Sequence, residues 1–259
     1  MAAARPVKTE GVLSGVAVLL LDLTQKQKAE ALRREFTANV SHELKTPLHA
    51  ISGYAELLKS GIVAPEDSAG FFEKIYSEAQ RLISLVEDIL RLSRLDEGAA
   101  DMRWVTIDLY TVLQNTIREL SGSAELAGVT LEVQGHSSSL SGIPQLHSAI
   151  LFNLLDNAIK YNHRGGQVTA AVENRDNAVL LTVSDTGMGI PEAHQERIFE
   201  RFYRVDKSHS KEVGGTGLGL SIVKHAVHIL HGHLTLKSHP GQGTTIQISF
   251  PKNPEQAAP

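Results

Sequence analysis

The stretch SHELKTPLHAISGYAELL, residues Ser41–Leu58, decides the first part of the fold. Its apolar residues recur at alternating spacings of three and four, as in a helix that buries one stripe against other helices. The members of this seam are Leu44, Leu48, Ile51, Ala55 and Leu58. Helix-forming residues run from Thr24 to about Ser60, and Gly61 stops them. We therefore predict one long helix.

A second helical run, from about Ala69 to Leu95, follows the turn residues Pro65–Ser68. The same spacing recurs in it at Phe72, Ile75, Ala79, Leu82, Val86 and Ile89. Two antiparallel helices cannot cover such seams alone, whereas a second copy of the hairpin would complete a four-helix bundle. We therefore predict a homodimer. The alternative is a hairpin that packs on its own downstream domain.

Composition excludes several classes of function. With 25 basic and 29 acidic residues, the formal net charge of −4 gives no general reason to bind nucleic acid or an anionic membrane. The absence of cysteine excludes disulfides, thiolate metal sites and a cysteine nucleophile. The longest apolar stretch, within Gly11–Leu23, is shorter than the roughly 20 residues that cross a bilayer. We expect these residues to lie in the cytoplasm.

Four segments follow from the pattern along the chain. In residues 1–23 we predict a single strand, Val16–Leu21, without an obvious partner nearby. The helical hairpin is predicted at residues 24–97 and is followed by a linker near Asp96–Ala100. The α/β sandwich is predicted at residues 103–252, and residues 253–259 are predicted to form a disordered tail. Turn signals at 174–177 and 240–243 predict a partly antiparallel sheet. The sandwich has predicted helices at 108–120, 145–161 and 218–230, and strands at 129–134, 167–173, 178–184, 233–238 and 244–250.

His42 is a candidate nucleophile. At about 100° per residue, His42 and Thr46 both lie some 160° or more from the seam, so both are predicted to face water. An exposed imidazole is largely neutral near pH 7 and offers a ring nitrogen lone pair to an electrophile. Glu43 can hold the other ring proton, and Pro47 removes a backbone hydrogen bond and loosens the turn. The alternative is an ordinary surface histidine.

A polar helix face is predicted in NLLDNAIKYN, residues 153–162. Asn153, Asn157 and Lys160 lie on one side of this helix, at spacings of four and three. Amide oxygens suit Mg²⁺, and a lysine one turn later can meet phosphate oxygens. The alternative is a solvated face.

Two glycine-containing segments complete the candidate site. In VSDTGMGI, residues 183–190, Asp185 ends a strand, and Gly187 and Gly189 let the backbone approach a flat ligand. Asp185 could accept a hydrogen bond from the exocyclic amine of adenine, although Asp and Gly also occur in plain turns. VGGTGLGLS, residues 213–221, leads into a helix start suited to phosphate, with Gly215, Thr216, Gly217, Leu218 and Gly219 as candidates. It lacks the Gly-Lys-Ser/Thr ending of a P-loop.

SHELKTPL, residues 41–48, closely resembles the phospho-acceptor box of the sensor histidine kinases of two-component systems. The resemblance implies that His42 is phosphorylated, that Glu43 is its acid–base partner, and that Thr46 orients a water during dephosphorylation of a partner aspartate. Residues 153–162 resemble the family's ATP-site box. There Asn157 would ligate Mg²⁺, Asn153 and Lys160 would lie near the phosphates, and Tyr161 would flank the nucleotide.

The remaining boxes follow in the family's order. Asp185 matches the adenine-reading aspartate, and residues 213–221 match the second glycine box, preceded by an ATP lid over Arg204–Val213. FERFYR, residues 199–204, resembles the aromatic box, in which Phe199 and Phe202 pack the base of the lid and Arg204 reaches phosphate. Leu20–Thr24 resembles the exit of a PAS-type sensory domain, which implies a sensor, and any membrane attachment, upstream of residue 1.

The resemblance implies a dimeric helical bundle followed by an α/β sandwich of the Bergerat type. It also implies an ATP- and Mg²⁺-dependent protein-histidine kinase that passes its phosphoryl group to an aspartate of a response-regulator receiver domain, with phosphatase activity towards that receiver. One rival is an ATPase of the same nucleotide fold, such as a chaperone or a mismatch-repair protein, which has no use for His42. The other rival is a non-enzymatic dimeric scaffold.

The late histidines, from His225 to His239, do not converge as zinc ligands.

Overall fold

The computed structural model describes residues 2–9, 12–20, 22–96, 103–205 and 215–253. The chain divides into two compact units, Met1–Glu78 and Ala79–Pro259. The predicted linker at 97–100, most of the predicted lid and almost all of the tail lie outside the described residues. No helix of the described part is long and apolar enough to cross a membrane.

The first unit opens with a β-hairpin. β1 (Ala2–Thr9) pairs antiparallel with β2 (Val12–Leu20), and the register shifts between Val7 and Lys8. The prediction that this strand lacks a nearby partner is therefore wrong. β1 went unnoticed because Arg5, Pro6 and Lys8 weaken its strand pattern, and its conformation is fixed instead by pairing with β2.

Two long helices follow, α1 (Thr24–Lys59) and α2 (Ser68–Asp96), joined through a 3₁₀ turn at Pro65–Asp67. The backbone N–H of Thr24, at the start of α1, donates to the Asp22 carboxylate at 2.9 Å, which satisfies one of the free N–H groups of the first turn. Across the connection, the rings of Tyr54 and Phe71 meet edge to face at 5.8 Å. The predicted helical hairpin is confirmed.

The apolar residues of α2 divide into two sets. Some remain exposed, among them the predicted seam members Phe72 (61%) and Val86 (42%). Together with their neighbours at helical spacing they form what we call the exposed stripe: Phe72, Tyr76, Ile83, Val86 and Leu90. Another set, Leu85, Leu92 and Leu95, is buried within the second unit and was not predicted.

The second unit contains the predicted α/β sandwich, together with the part of α2 that follows Glu78. Its strands are β3 (Val105–Asp108), β4 (Thr130–Gly135), β5 (Ser139–Gly142), β6 (Gln167–Asn174), β7 (Ala178–Asp185), β8 (His233–His239) and β9 (Gly243–Pro251). Its helices are α3 (Leu109–Ala127), α4 (Pro144–Lys160), the short α5 (Glu192–Gln195) and α6 (Gly219–Ile229). A 3₁₀ turn at Arg197–Phe199 follows α5.

The main sheet has the order β4-β6-β7-β9-β8, and only β4 and β6 are parallel neighbours in it. Alternate residues of β6 and β7 are buried, as expected of strands with one covered face. α4 packs against both α3 and α6 and against this sheet. The α/β prediction is confirmed, although the four-residue strands β3 and β5, which pair with each other, were missed.

Candidate functional site

His42 stands on the exposed side of α1. Its side chain is 80% exposed, and Nδ1 lies 3.7 Å from Oε1 of Glu43. This distance exceeds a hydrogen bond, but it puts the carboxylate on the Nδ1 side of the ring. A proton held at Nδ1 leaves the lone pair of Nε2 for attack. The geometry therefore suits a nucleophilic imidazole with an adjacent proton acceptor.

The exposure of Thr46 differs from what the sequence predicted. Its side chain is half-buried instead of facing water, and its hydroxyl donates to the His42 carbonyl at 3.1 Å. The covered side of α1 extends to the buried Pro47, which lies only about 100° from Thr46 around the helix. Pro47 has no N–H for the Glu43 carbonyl, so the helical ladder is interrupted one turn after His42.

In the second unit, α4 and the start of α6 meet at two asparagines. A Cβ built on Gly219 would lie 2.7 Å from Oδ1 of Asn153 and 3.6 Å from Nδ2 of Asn157. Nδ2 of the buried Asn153 donates to the Ala149 carbonyl at 2.8 Å, which fixes the orientation of that amide. Glycine at 219 thus lets the first turn of α6 approach the fixed amide of Asn153 closely, whereas the distance to Asn157 would be an ordinary contact.

Lys160 is paired on its own helix. Its Nζ lies 2.6 Å from Oδ2 of Asp156, one turn earlier. Asp156 was not among the predicted residues, although its spacing of four from Lys160 was a readable signal. The ion pair thus holds the ammonium of Lys160 at the end of α4.

Tyr161, which follows α4, touches both glycine segments. Its carbonyl accepts from the Met188 N–H at 3.1 Å, and a Cβ on Gly187 would lie 2.3 Å from that carbonyl oxygen. A Cβ on Gly215 would lie 3.0 Å from the tyrosine hydroxyl. Two glycine segments that are distant along the chain therefore converge on Tyr161.

Asp185 ends β7 and is held by two backbone donors. Its Oδ1 accepts from the N–H of Gly187 at 2.8 Å and of Thr244 at 3.2 Å. Burial raises the pKa of the Asp185 carboxyl above its usual range, and the hydrogen bonds from Gly187 and Thr244 oppose this rise. Both bonds engage Oδ1, so Oδ2 can accept from a ligand. Thr244 was missed because it follows a turn far along the chain.

The second glycine segment is tied to the aromatic box. The Phe202 N–H donates to the Gly217 carbonyl at 2.8 Å, and both residues have positive φ, 64° and 73°. Nζ of Lys224 lies 5.9 Å from the centre of the Phe199 ring. Arg204 is half-buried, and residues 206–213 of the predicted lid lie outside the described part of the chain.

The predicted residues thus form two groups. His42, Glu43 and Thr46 lie on α1 in the first unit. In the second unit, the structure brings the α4 residues Asn153 and Asn157, with Tyr161 after that helix, together with Gly187, Gly215 and Gly219. Gly189 serves the fold, since a Cβ there would lie 2.0 Å from the His239 carbonyl oxygen. No cluster of three or more metal-ligating side chains occurs among the described residues.

Two family models match the chain. The His Kinase A (phospho-acceptor) domain matches residues 32–98, which contain His42. The family described as histidine kinase-, DNA gyrase B-, and HSP90-like ATPase matches residues 142–254, which contain the converging segments of the second unit.

Relatives agree with both models. The sensor-like histidine kinase SenX3 of Mycolicibacterium smegmatis is 36% identical over 239 residues, which are 92% of this chain and 62% of SenX3. The sensor protein kinase WalK of Staphylococcus aureus is 35% identical over 248 residues, 95% of this chain and 60% of WalK. The chain therefore spans about three fifths of the length of each of these two relatives.

Among solved structures, histidine kinase ThkA in complex with the response regulator protein TrrA is similar with a TM-score of 0.69. The similarity covers 98% of this chain and 75% of the ThkA chain at 23% identity, so it supports the fold alone. The two family models and the sequence relatives carry the assignment. The chain belongs to the sensor histidine kinases of two-component systems.

Proposed function

We propose that this chain is an ATP-dependent protein-histidine kinase that phosphorylates its own His42. The observation that carries the proposal is the pairing of two sites in one chain. One is an exposed imidazole with a carboxylate on its Nδ1 side, and the other is a convergence of amides and glycine backbone at a helix N-terminus. The first offers a nucleophile and the second suits a nucleoside triphosphate.

The second unit supplies groups for each part of Mg-ATP. Oδ2 of Asp185 can accept a hydrogen bond from the exocyclic amine of adenine, beside Gly187 and Tyr161. The N–H groups of residues 215–219 and the ammonium of Lys160 suit phosphate oxygens, and Arg204 would add a second cation. The side-chain oxygen of Asn157 is the kind of hard ligand that Mg²⁺ prefers, and Asn153 would lie near the phosphates. The bound ion would neutralise charge on the phosphates.

The reaction is a single displacement at phosphorus. Nε2 of His42 attacks the γ-phosphorus, the bond from phosphorus to the bridging oxygen breaks, and ADP leaves with that electron pair. Glu43 holds the proton at Nδ1 and stabilises the positive charge that the ring acquires. Catalysis by this chain is then a matter of positioning and charge neutralisation.

The phosphoryl group on His42 is proposed to pass to an aspartate of a response-regulator receiver domain. Membership of the sensor histidine kinases of two-component systems supports this choice of partner. We also propose that the chain dephosphorylates the receiver. The Thr46 hydroxyl donates to the His42 carbonyl, so its oxygen can accept a hydrogen bond from an attacking water. Because the reaction consumes ATP, we assign it to the cytoplasm.

The working form is proposed to be a homodimer. The exposed stripe leaves five large apolar side chains of one helix in water, although they recur at the spacing of a helical seam. An isolated stripe of this kind is unusual on a soluble monomer. A second copy of the hairpin would bury it as a four-helix bundle.

Labelling from γ-labelled ATP tests the proposed function. We expect acid-labile label on the wild type and none on His42→Gln, with nucleotide binding retained by the variant. His49→Gln is the matched control, because His49 is an exposed histidine of the same helix. An ATPase without a phospho-acceptor would leave the protein unlabelled and hydrolyse ATP equally in all three proteins. Acid-labile label on His42→Gln would overturn the assignment of His42.

A further inference from the structure

One carboxylate interrupts the buried side of α2. Leu85, Leu92 and Leu95 are 4%, 0% and 5% exposed, and Asp88 lies among them at the same helical spacing. Burial raises the pKa of the Asp88 carboxyl, and this effect outweighs its hydrogen bond from Thr216 and its attraction to Arg91 and Lys160. A carboxylate in such a place needs a specific partner, because an unpaired charge is costly to bury.

Its partner belongs to the second glycine segment. The Thr216 hydroxyl donates to Oδ2 of Asp88 at 2.7 Å, and the Thr216 hydroxyl oxygen accepts from the Leu218 N–H at 3.2 Å. The carboxylate therefore stands at the loop that leads into α6, where backbone N–H groups favour an anion. Lys160, whose ammonium is paired with Asp156, is near enough to attract Asp88 electrostatically.

Two further contacts hold the same part of α2 within the second unit. The guanidinium of Arg91 lies 5.8 Å from the ring centre of Phe152 on α4. Nε2 of His225 on α6 lies 3.3 Å from the Leu95 carbonyl. The helix is thus fastened to α4, to the glycine segment and to α6, the elements that carry the proposed phosphate end of the nucleotide site.

We propose that Asp88 is an internal anion that closes the phosphate end of the nucleotide site and must leave when a nucleoside triphosphate binds. The inference rests on the proposed function, since it concerns the same site. A triphosphate and Asp88 are both anions. They would compete for the hydrogen bond from the Thr216 hydroxyl and for electrostatic attraction to Lys160. The coupling free energy between the two events is the same in both directions. A change that detaches α2 therefore raises the affinity for ATP, and ATP binding in turn favours detachment of α2.

Nucleotide affinity in Asp88 variants is the direct test. Asp88→Asn keeps the shape of the side chain and removes its charge, and Asp88→Ala removes both. We expect each to tighten binding of the non-hydrolysable triphosphate AMPPNP with Mg²⁺ by about 5- to 50-fold, measured by titration calorimetry, a range typical of coupled sites. Glu87→Gln is the matched control, because Glu87 is exposed at the adjacent position and should change nothing.

Adenosine separates competition from a structural effect. It carries no phosphate, so its affinity, followed by NMR, should be unchanged in both Asp88 variants. Equal tightening of adenosine and AMPPNP would show that the site had merely loosened and would overturn the proposal, as would unchanged or weaker AMPPNP binding. If wild type and variants alike bind no nucleotide, the proposed function fails and this inference fails with it.

Hydrogen exchange checks the reciprocal effect. In the wild type, AMPPNP should speed amide exchange in residues 85–95 of α2, while adenosine should not. In Asp88→Asn the exchange should already be fast without nucleotide. Protection of these residues by AMPPNP would mean that the helix tightens on the triphosphate, which contradicts an anion that has to leave.

Discussion

Replacing His147 should remove one distinct contribution to the acid sensitivity of the second unit. His147 lies on α4 with no exposed surface, and its ring centre is 4.9 Å from that of Phe250. Its Nδ1 is 3.0 Å from the Ile143 carbonyl and donates to it, while Nε2 is buried with no hydrogen-bond partner among the described residues. Burial lowers the pKa of His147 from its ordinary 6.5 to about 4, and the hydrogen bond to Ile143 only partly opposes this.

The sign of the effect follows from which state binds the proton. Below pH 6.5 the unfolded chain protonates His147, whereas the folded chain keeps it neutral down to about pH 4. The stabilising contribution is therefore complete above pH 6.5 and is lost as the pH falls towards 4. At about 1.36 kcal/mol per pH unit, the whole loss amounts to about 3 kcal/mol. Between pH 6.5 and 4.5 it is about 2 kcal/mol.

Urea unfolding at these two pH values measures the loss. The single tryptophan, Trp104, lies in the second unit and reports its unfolding by fluorescence. His147→Asn retains a donor for the Ile143 carbonyl and does not titrate, so it should lose about 2 kcal/mol less than the wild type between pH 6.5 and 4.5. His136→Asn is the control, because His136 is exposed. Equal losses in wild type and His147→Asn would refute the reasoning.

Three further predictions concern the proposed sites. Gly219→Ala forces a Cβ within 2.7 Å of Asn153 Oδ1 and should weaken ATP binding at least tenfold, whereas Gly122→Ala, with nothing within 4 Å, should bind ATP normally. Asp185→Asn should weaken the binding of adenosine and of ATP alike by about 10- to 100-fold, since the lost group would contact the base. If calorimetry showed weaker binding of ATP alone, the assignment of Asp185 to the base would be wrong. Thr46→Ala should keep autophosphorylation but slow the decay of a purified phospho-receiver, and an unchanged decay rate would remove Thr46 from the phosphatase proposal.

The long elements were predictable because each carries its own pattern. α1 and α2 have a repeat of three and four over many turns, and β6 and β7 alternate over eight residues. β3 and β5 have only four residues each, too few for a period to appear, and their conformation comes from pairing with each other. Local sequence cannot reveal an element that tertiary pairing creates.

The residues of the candidate site likewise include some that the sequence could predict and some that it could not. Asn157 and the glycines could be found because each lies in a short local motif that has the spacing of a known family. Asp88 could not, because its partner Thr216 is 128 residues away and neither residue is unusual in its own surroundings. The burial of Leu92 and Leu95 likewise depends on which part of the chain covers α2. Long-range contacts of this kind leave no periodic trace.

The exposed stripe has a thermodynamic consequence. If a second molecule covers Phe72, Tyr76 and Leu90, part of the free energy that keeps the helices folded comes from association and obeys mass action. The melting temperature of the helices that carry the exposed stripe would then rise with protein concentration. In a cell with few copies of the protein, expression level itself would set the fraction of chains whose helices are intact.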